Sequence, residues 1–263
     1  MKKRYLFFLI LSVLPLASCG TLDIKSQWRD TAIAIDGRSD DWQGRLWSVE
    51  DTSLAVGVLN DETSLYLCVT AEDARAAGQV LRQGLIVWFD PRGGKDKVLG
   101  IHYPLQRGWQ DFNVPSKGET GNQEARRQAL QEIRNELEIL GPGRDEKVRL
   151  RLDEAKGIEA AFQTRGRFVY ELKVPLAKGD GTPYAVDIAE GKIVGVGFDS
   201  PRLDFIMPGR GMGGRNPGGI GPGMPGRYPG RAGMGRGMRN AEPIKLWMKV
   251  QLAAQGNGLR VSN

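Results

Sequence analysis

From residue 54 onward the chain alternates apolar and polar positions with a period of two. "DTSLAVGVLNDETSLYLCVT" holds two such runs around Asn60 to Thr63. Leu54, Val56 and Val58 share a face of the first run, and Leu65, Leu67 and Val69 share a face of the second. This spacing predicts a hairpin of two half-buried strands. The plan recurs at Leu85 to Asp90, followed by a Pro-Arg-Gly-Gly turn and Val98 to Pro104. It recurs again in "GIEAAFQTRGRFVYELKVPLA", with a turn at Thr164 to Gly166 and alternation through Phe168, Tyr170, Leu172 and Val174. "KIVGVGFDS" and "PIKLWMKVQLA" supply later strands, and "TAIAI" a short early one. The count is about nine or ten strands at hairpin spacing with no regular alternation with helices, which predicts an all-β fold. The expected architecture is an antiparallel β-sandwich, jelly-roll or immunoglobulin-like.

Two stretches carry helical spacing instead. "EDARAAGQVLRQG" reads as a short helix closed by Gly84. In "NQEARRQALQEIRNELEIL", Leu130, Ile133, Leu137 and Leu140 line up opposite a charged face, and "GPG" stops the run. An amphipathic helical insertion over 121–140 is therefore expected, packed on an edge or end of the sandwich.

The amino terminus bears on location. Lys2, Lys3 and Arg4 precede the apolar run "YLFFLILSVLPL", which has the length of a signal h-region and is too short to span a bilayer. "LASC", Leu16 to Cys19, resembles a bacterial lipobox. That resemblance implies a signal peptide over 1–18, lipidation at Cys19 and attachment to a membrane by acyl chains. Gly20 rather than aspartate at the next position implies, by Gram-negative sorting rules, a place in the cell envelope at the outer membrane. Residues 19–30 then read as a tether and 31–263 as a single domain. Besides Cys19 there is only Cys68, in the apolar run "SLYLCVT", where a small buried hydrophobe is expected.

Charge changes the picture only locally. The chain has 37 Lys+Arg against 31 Asp+Glu, net +6. Loss of residues 1–18 removes three basic residues and leaves +3. Segment 207–240 holds 13 glycines, 5 prolines, 6 arginines and 5 methionines with no acid. Without it the mature chain is net −3, so the basic character belongs to this segment and not to the fold. Its composition predicts a disordered Gly/Arg/Met-rich low-complexity loop. It could contact an envelope protein or anionic lipid phosphates. Arginine-glycine repeats also resemble RNA-binding tails, but export argues against a nucleic-acid partner.

"IDGRSDDWQG", residues 35–44, concentrates Asp36, Asp40 and Asp41. An Asp-Gly pair makes a tight turn, a second acid can cap the next one, and Trp42 can close over the sandwich's end. The three carboxylates also offer hard oxygen ligands for a structural calcium, although their spacing is not that of an EF-hand loop. This motif, followed by "VGVLNDETSLYLCV", "GLIVWFD" and "YELKVPL", resembles the family 9 carbohydrate-binding modules and the wider DOMON-like superfamily over roughly residues 30–200 and the last strand. The resemblance implies a β-sandwich that binds a sugar, or haem, or a ligand not yet assigned.

No Ser-containing elbow, H-E-x-x-H or P-loop is present and His102 is the single histidine, so nothing points to an enzyme. Haem ligation by His102 and a methionine of the flexible loop is disfavoured, because such a loop cannot fix a ligand. A saccharide site stacks sugar faces on flat aromatics beside hydrogen-bonding side chains. Trp88 and Trp247 sit within strand patterns and are expected to fill the core. Trp109, with Arg107 and Asp111 beside it in the polar loop "QRGWQDF", is the leading candidate platform, and Trp47 the second. The expectation is a non-catalytic binding domain with a glycan as ligand and no cofactor beyond a structural calcium. The rival is a structural or envelope-assembly protein without a small-molecule ligand.

Overall fold

The computed structural model describes residues 21–50, 52–72, 78, 80, 83–105, 134–141, 146–164, 166–188, 192–200 and 244–255. The described residues form thirteen strands: β1 Leu22–Lys25, β2 Gln27–Trp28, β3 Trp47–Ser48, β4 Leu54–Asn60, β5 Ser64–Ala71, β6 Leu85–Asp90, β7 Leu99–Tyr103, β8 Glu136–Leu140, β9 Lys147–Arg151, β10 Glu159–Gln163, β11 Phe168–Pro175, β12 Ile193–Asp199 and β13 Lys245–Gln251. One sheet has the order β1-β13-β12-β6-β7-β8-β9, and the other β10-β11-β5-β4-β2 with β3 also on β4. The fold is the expected β-sandwich. Its pairings are antiparallel except at β1–β13 and β2–β4, which are parallel.

The period-two reading explains why the sheets stack. Leu54, Val56, Val58, Leu65, Leu67 and Val69 enter the same core as Val87, Phe89, Ile101, Val196, Phe198 and Met248 of the opposite sheet. Each such side chain contributes about 1.5–3 kcal/mol when removed from water. The hairpin strands are not half-buried, however: every residue of β5 is buried. Their outer face belongs to a second cluster of Trp42, Leu59, Tyr66, Cys68 and Val169. Cys68 is a buried free thiol, and burial pushes its pKa up.

Three expectations need correction. Leu137 and Leu140 belong to β8, not to the predicted helix; Leu137 and Ile139 point into the core at strand spacing, paired with Leu150 and Val148 of β9. Leu137 and Leu140 share a face only in a helix; in the strand Leu137 pairs its face with Ile139, and the tertiary partner chooses between the two readings. The remainder of the predicted helix up to residue 133 lies outside the described residues, as does 207–240. The 19–30 tether is also wrong: β1 pairs with β13 in one sheet and β2 with β4 in the other. Ser26, between them, is buried and crosses from sheet to sheet; its hydroxyl bonds Asn60 Oδ1 and accepts from Ala253 N at 2.8 Å. Finally, "TAIAI" forms no strand; Ile33 and Ile35 pack on the second cluster. Gly84 does end its turn as expected, with φ 75° and its N–H on Val80 O at 2.8 Å.

The aspartate-rich motif is the roof of the second cluster. Trp42 is fully buried, and its indole lies so close over Gly57 that a Cβ there would stand 2.6 Å from the ring. Glu171 on β11, also fully buried, accepts from Trp42 Nε1 at 2.7 Å, Gly37 N at 2.6 Å and Asp36 N at 3.0 Å. Gly37 has φ 82° and its Cβ position is filled by Phe162 backbone, so glycine is required there. Trp42 thus closes over a sheet face and not over the sandwich's end.

Candidate functional site

At one end of the sandwich lies a cleft of about 260 Å³, lined by Trp28, Asn60, Asp61, Glu62, Leu176, Ile188, Lys192, Leu252, Ala253 and Gln255. Topology assembles it. β2 ends there, the β4–β5 turn crosses it, β11 runs out beside it, and β12 begins where β13 finishes. A buried network fixes its floor. Asn60 donates from Nδ2 to Ala253 O at 3.0 Å and to Asp61 O at 3.2 Å, while Ala253 N donates to Asn60 Oδ1 at 2.9 Å. With Ser26 this clamps the two sheets together at the cleft, and such a satisfied network costs little while making the backbone rigid.

Asp61 organises the wall. Its Oδ1 accepts from Thr63 N and Ser64 N, each at 2.8 Å, and from Thr63 Oγ1 at 3.0 Å. Its Oδ2 accepts from Arg29 Nε at 2.8 Å and Tyr66 OH at 2.9 Å. Burial alone would raise its pKa, but the bonds from Thr63, Tyr66 and Ser64 outweigh it and bring the carboxyl to about 2. Asp61 is therefore a permanently ionised structural acceptor with both oxygens occupied, unfit to shuttle a proton. Glu62, Lys192 and Gln255 are exposed at the cleft. Lys192 holds φ 54°, uncommon for a long side chain, and its carbonyl accepts from Leu252 N at 2.8 Å.

Of the residues expected to bind ligand, Trp109, Arg107 and Asp111 lie outside the described residues, as does Cys19. Trp47 sits on β3, half-buried and packed against the main core, away from the cleft. The structure does not bring it to a site. Trp28 takes the position at the cleft wall; its two-residue strand is too short for any periodic signal, which is why sequence reasoning passed over it. Trp88 is buried as expected, though outside the main core cluster, whereas Trp247 stays half-buried. Both lie on the outer face of the seven-stranded sheet, in one register row with Gly197 and Gly100. A Cβ on Gly197 would stand 2.6 Å from the Trp247 ring, and one on Gly100 2.7 Å from that of Trp88.

The three aspartates do not converge. Asp36 Oδ1 accepts from Arg38 N at 2.9 Å, Asp40 pairs with Arg38, and Asp41 Oδ2 accepts from Ala34 N at 3.0 Å. Among the described residues no group of three or more His, Cys, Asp or Glu could hold a metal ion. His102 is half-buried, with Nδ1 3.4 Å from Glu138 and Nε2 3.3 Å from the Gln83 carbonyl, so both ring nitrogens face protein partners. No helix among the described residues is long and apolar enough to cross a membrane.

No protein-family model and no curated protein matches the chain. It is similar to a family 9 carbohydrate-binding module from Caldicellulosiruptor kristjanssonii solved with cellotriose, at 10% identity and TM-score 0.38, over 93% of this chain and 99% of that one. It is similar also to the module from that organism solved with glucose, at 12% identity and TM-score 0.32, over 71% of this chain and 80% of that one.

Proposed function

We propose that the chain is an exported, lipid-anchored binding domain and that the cleft at Trp28 is its saccharide site. The observation that carries this reading is the lining. Trp28 and Ile188, over a floor of the buried Leu176 and Leu252, supply apolar surface for the C–H face of a sugar ring, while Glu62, Lys192 and Gln255 supply acceptors and donors for hydroxyls. Both Asp61 oxygens are occupied, so among the described residues the cleft offers Glu62 as its exposed carboxylate, which fits binding better than a two-carboxylate hydrolysis. The uncommon backbone at Lys192 is the kind of local strain that collects at ligand sites.

Titration calorimetry against neutral mono- and oligosaccharides, glucose and cellotriose among them, tests this. Trp28→Ala is expected to weaken binding about tenfold or more, the cost of one lost aromatic wall of about 1.4 kcal/mol. Binding unchanged by Trp28→Ala, or absent for every sugar, sinks the reading. The anchor is tested separately: palmitate is expected to label the wild-type chain and not Cys19→Ser.

A further inference from the structure

The strand that replaces the expected tether restricts how the domain can sit. Three positions separate Cys19 from Leu22, the first residue of β1. Extended chain reaches at most about 10 Å over three residues. An acylated Cys19 therefore holds the β1–β13 edge directly at the bilayer. β1 runs parallel to β13, from Leu22 beside Met248 to Lys25 beside Gln251, and Ser26 then crosses at the cleft end. β1 therefore begins on the side of Ser26 that faces away from the cleft.

The outer face of that edge has interfacial chemistry. Lys245, Trp247 and Lys249 alternate outward on β13, with Lys25 beside them on β1. Trp247 is half-buried, one side of its indole against Gly197. Lys25, Lys245 and Lys249 are exposed, and none has an ion-pair partner among the described residues. Lys249 stands opposite Asp23 and Lys245 opposite Asp199, which Lys97 holds at 2.9 Å; further along the same rows lie the buried Asp90 and, beside His102, Glu138. Leu22, in register with Met248, belongs to the core-facing row and not to the row of Trp247. An indole at headgroup level and lysines toward phosphates, beside an acyl anchor, are the ingredients of a membrane-resting surface.

We propose that the β1–β13 edge, through Trp247, Lys245 and Lys249, rests on an anionic lipid surface and holds the cleft facing away from the bilayer. This rests on the lipid-anchor reading and is independent of what the cleft binds. The test uses the full lipidated chain reconstituted in vesicles containing phosphatidylglycerol and brominated lipid, which quenches tryptophan at headgroup depth. Quenching is expected in the wild type, with most of it lost in Trp247→Phe and in a Lys245→Glu, Lys249→Glu double variant that leaves the buried packing untouched. Equal quenching in all three chains overturns the orientation even where palmitate labelling confirms the anchor. A chain that takes up no palmitate overturns both readings. A Trp247-dependent fluorescence change on adding polygalacturonate, with none from vesicles, makes the face a glycan site and overturns the proposal.

Discussion

The outer faces of the two sheets use one device to opposite ends. On the six-stranded sheet an indole, Trp42, lies over Gly57; on the seven-stranded sheet another, Trp247, lies over Gly197. In both cases the missing Cβ lets a flat ring press onto the backbone. Trp42 is then roofed by its own loop, tied to the buried Glu171, and joined by Leu59, Tyr66, Cys68 and Val169 into a second core. Trp247 has lysines on either side and stays half-exposed. Identical local chemistry thus becomes core or surface according to what the rest of the chain lays over it.

That contrast is sharpest in the cost of removing each ring. Trp42→Ala is expected to destabilise by about 3–5 kcal/mol, because it opens a cavity and strips one of three donors from a buried carboxylate. Trp247→Ala should cost about 1 kcal/mol, the burial of half a ring. Urea unfolding followed by far-UV circular dichroism measures both, and similar losses would erase the distinction between the faces. A smaller contrast is expected at the glycines. Gly57→Ala overpacks a roofed site and should cost about 1–3 kcal/mol, whereas at Gly197 the indole can lift toward solvent, so that the loss stays below about 1 kcal/mol.

A third effect appears only in acid. Asp61 is brought to about 2 in the fold from a reference of 3.8. A lowered carboxylate contributes stability that is complete above its unfolded pKa and is lost as pH falls through its folded one. The contribution is about 2 kcal/mol and should drain away between pH 3.8 and about 2. Glu171 has the opposite sign: burial raises its pKa against the bonds from Trp42, Gly37 and Asp36, so its ionisation costs stability as pH rises from 4.5 through the raised value. Asp61→Asn should therefore flatten the lower limb of a stability–pH curve and leave the Glu171 limb in place. An unchanged lower limb would show that the Arg29–Tyr66 side of the cleft wall does not depend on this carboxylate.

The strands that carry the main core were legible because alternation every second residue needs no knowledge of the partner: Val56, Leu67, Val87, Tyr170 and Val196 all point where their spacing says. Cys68 is buried as its apolar run suggests, but on the opposite face, under the second cluster, which alternation alone does not foretell. The failures have a common physical origin. β1, β2 and β3 are edge or two-residue strands whose pairing rests on backbone hydrogen bonds, which leave no side-chain period to read. In β8, Leu137 fits a helix face with Leu140 and a strand face with Ile139, and the β7 and β9 neighbours settle the matter. At the cleft, Asn60 and Asp61 stood in plain sight as hairpin-turn residues. Nothing local told them apart from any other turn until Trp28, Lys192 and Gln255 were brought to the same end.

What the sequence determined by itself was therefore the sandwich, through the period of its buried faces, and the placing of a glycine-aspartate turn before a tryptophan. Only the tertiary structure decided that Glu171 would turn that motif into a roof, that the first described strands would clasp both sheets, and which tryptophan would meet a cleft. Burial in a strand depends on neighbours two positions away and is written along the chain. A cleft or a clamp depends on residues such as Ser26, Asn60 and Ala253, far apart in sequence, whose hydrogen bonds exist only once the sheets have closed.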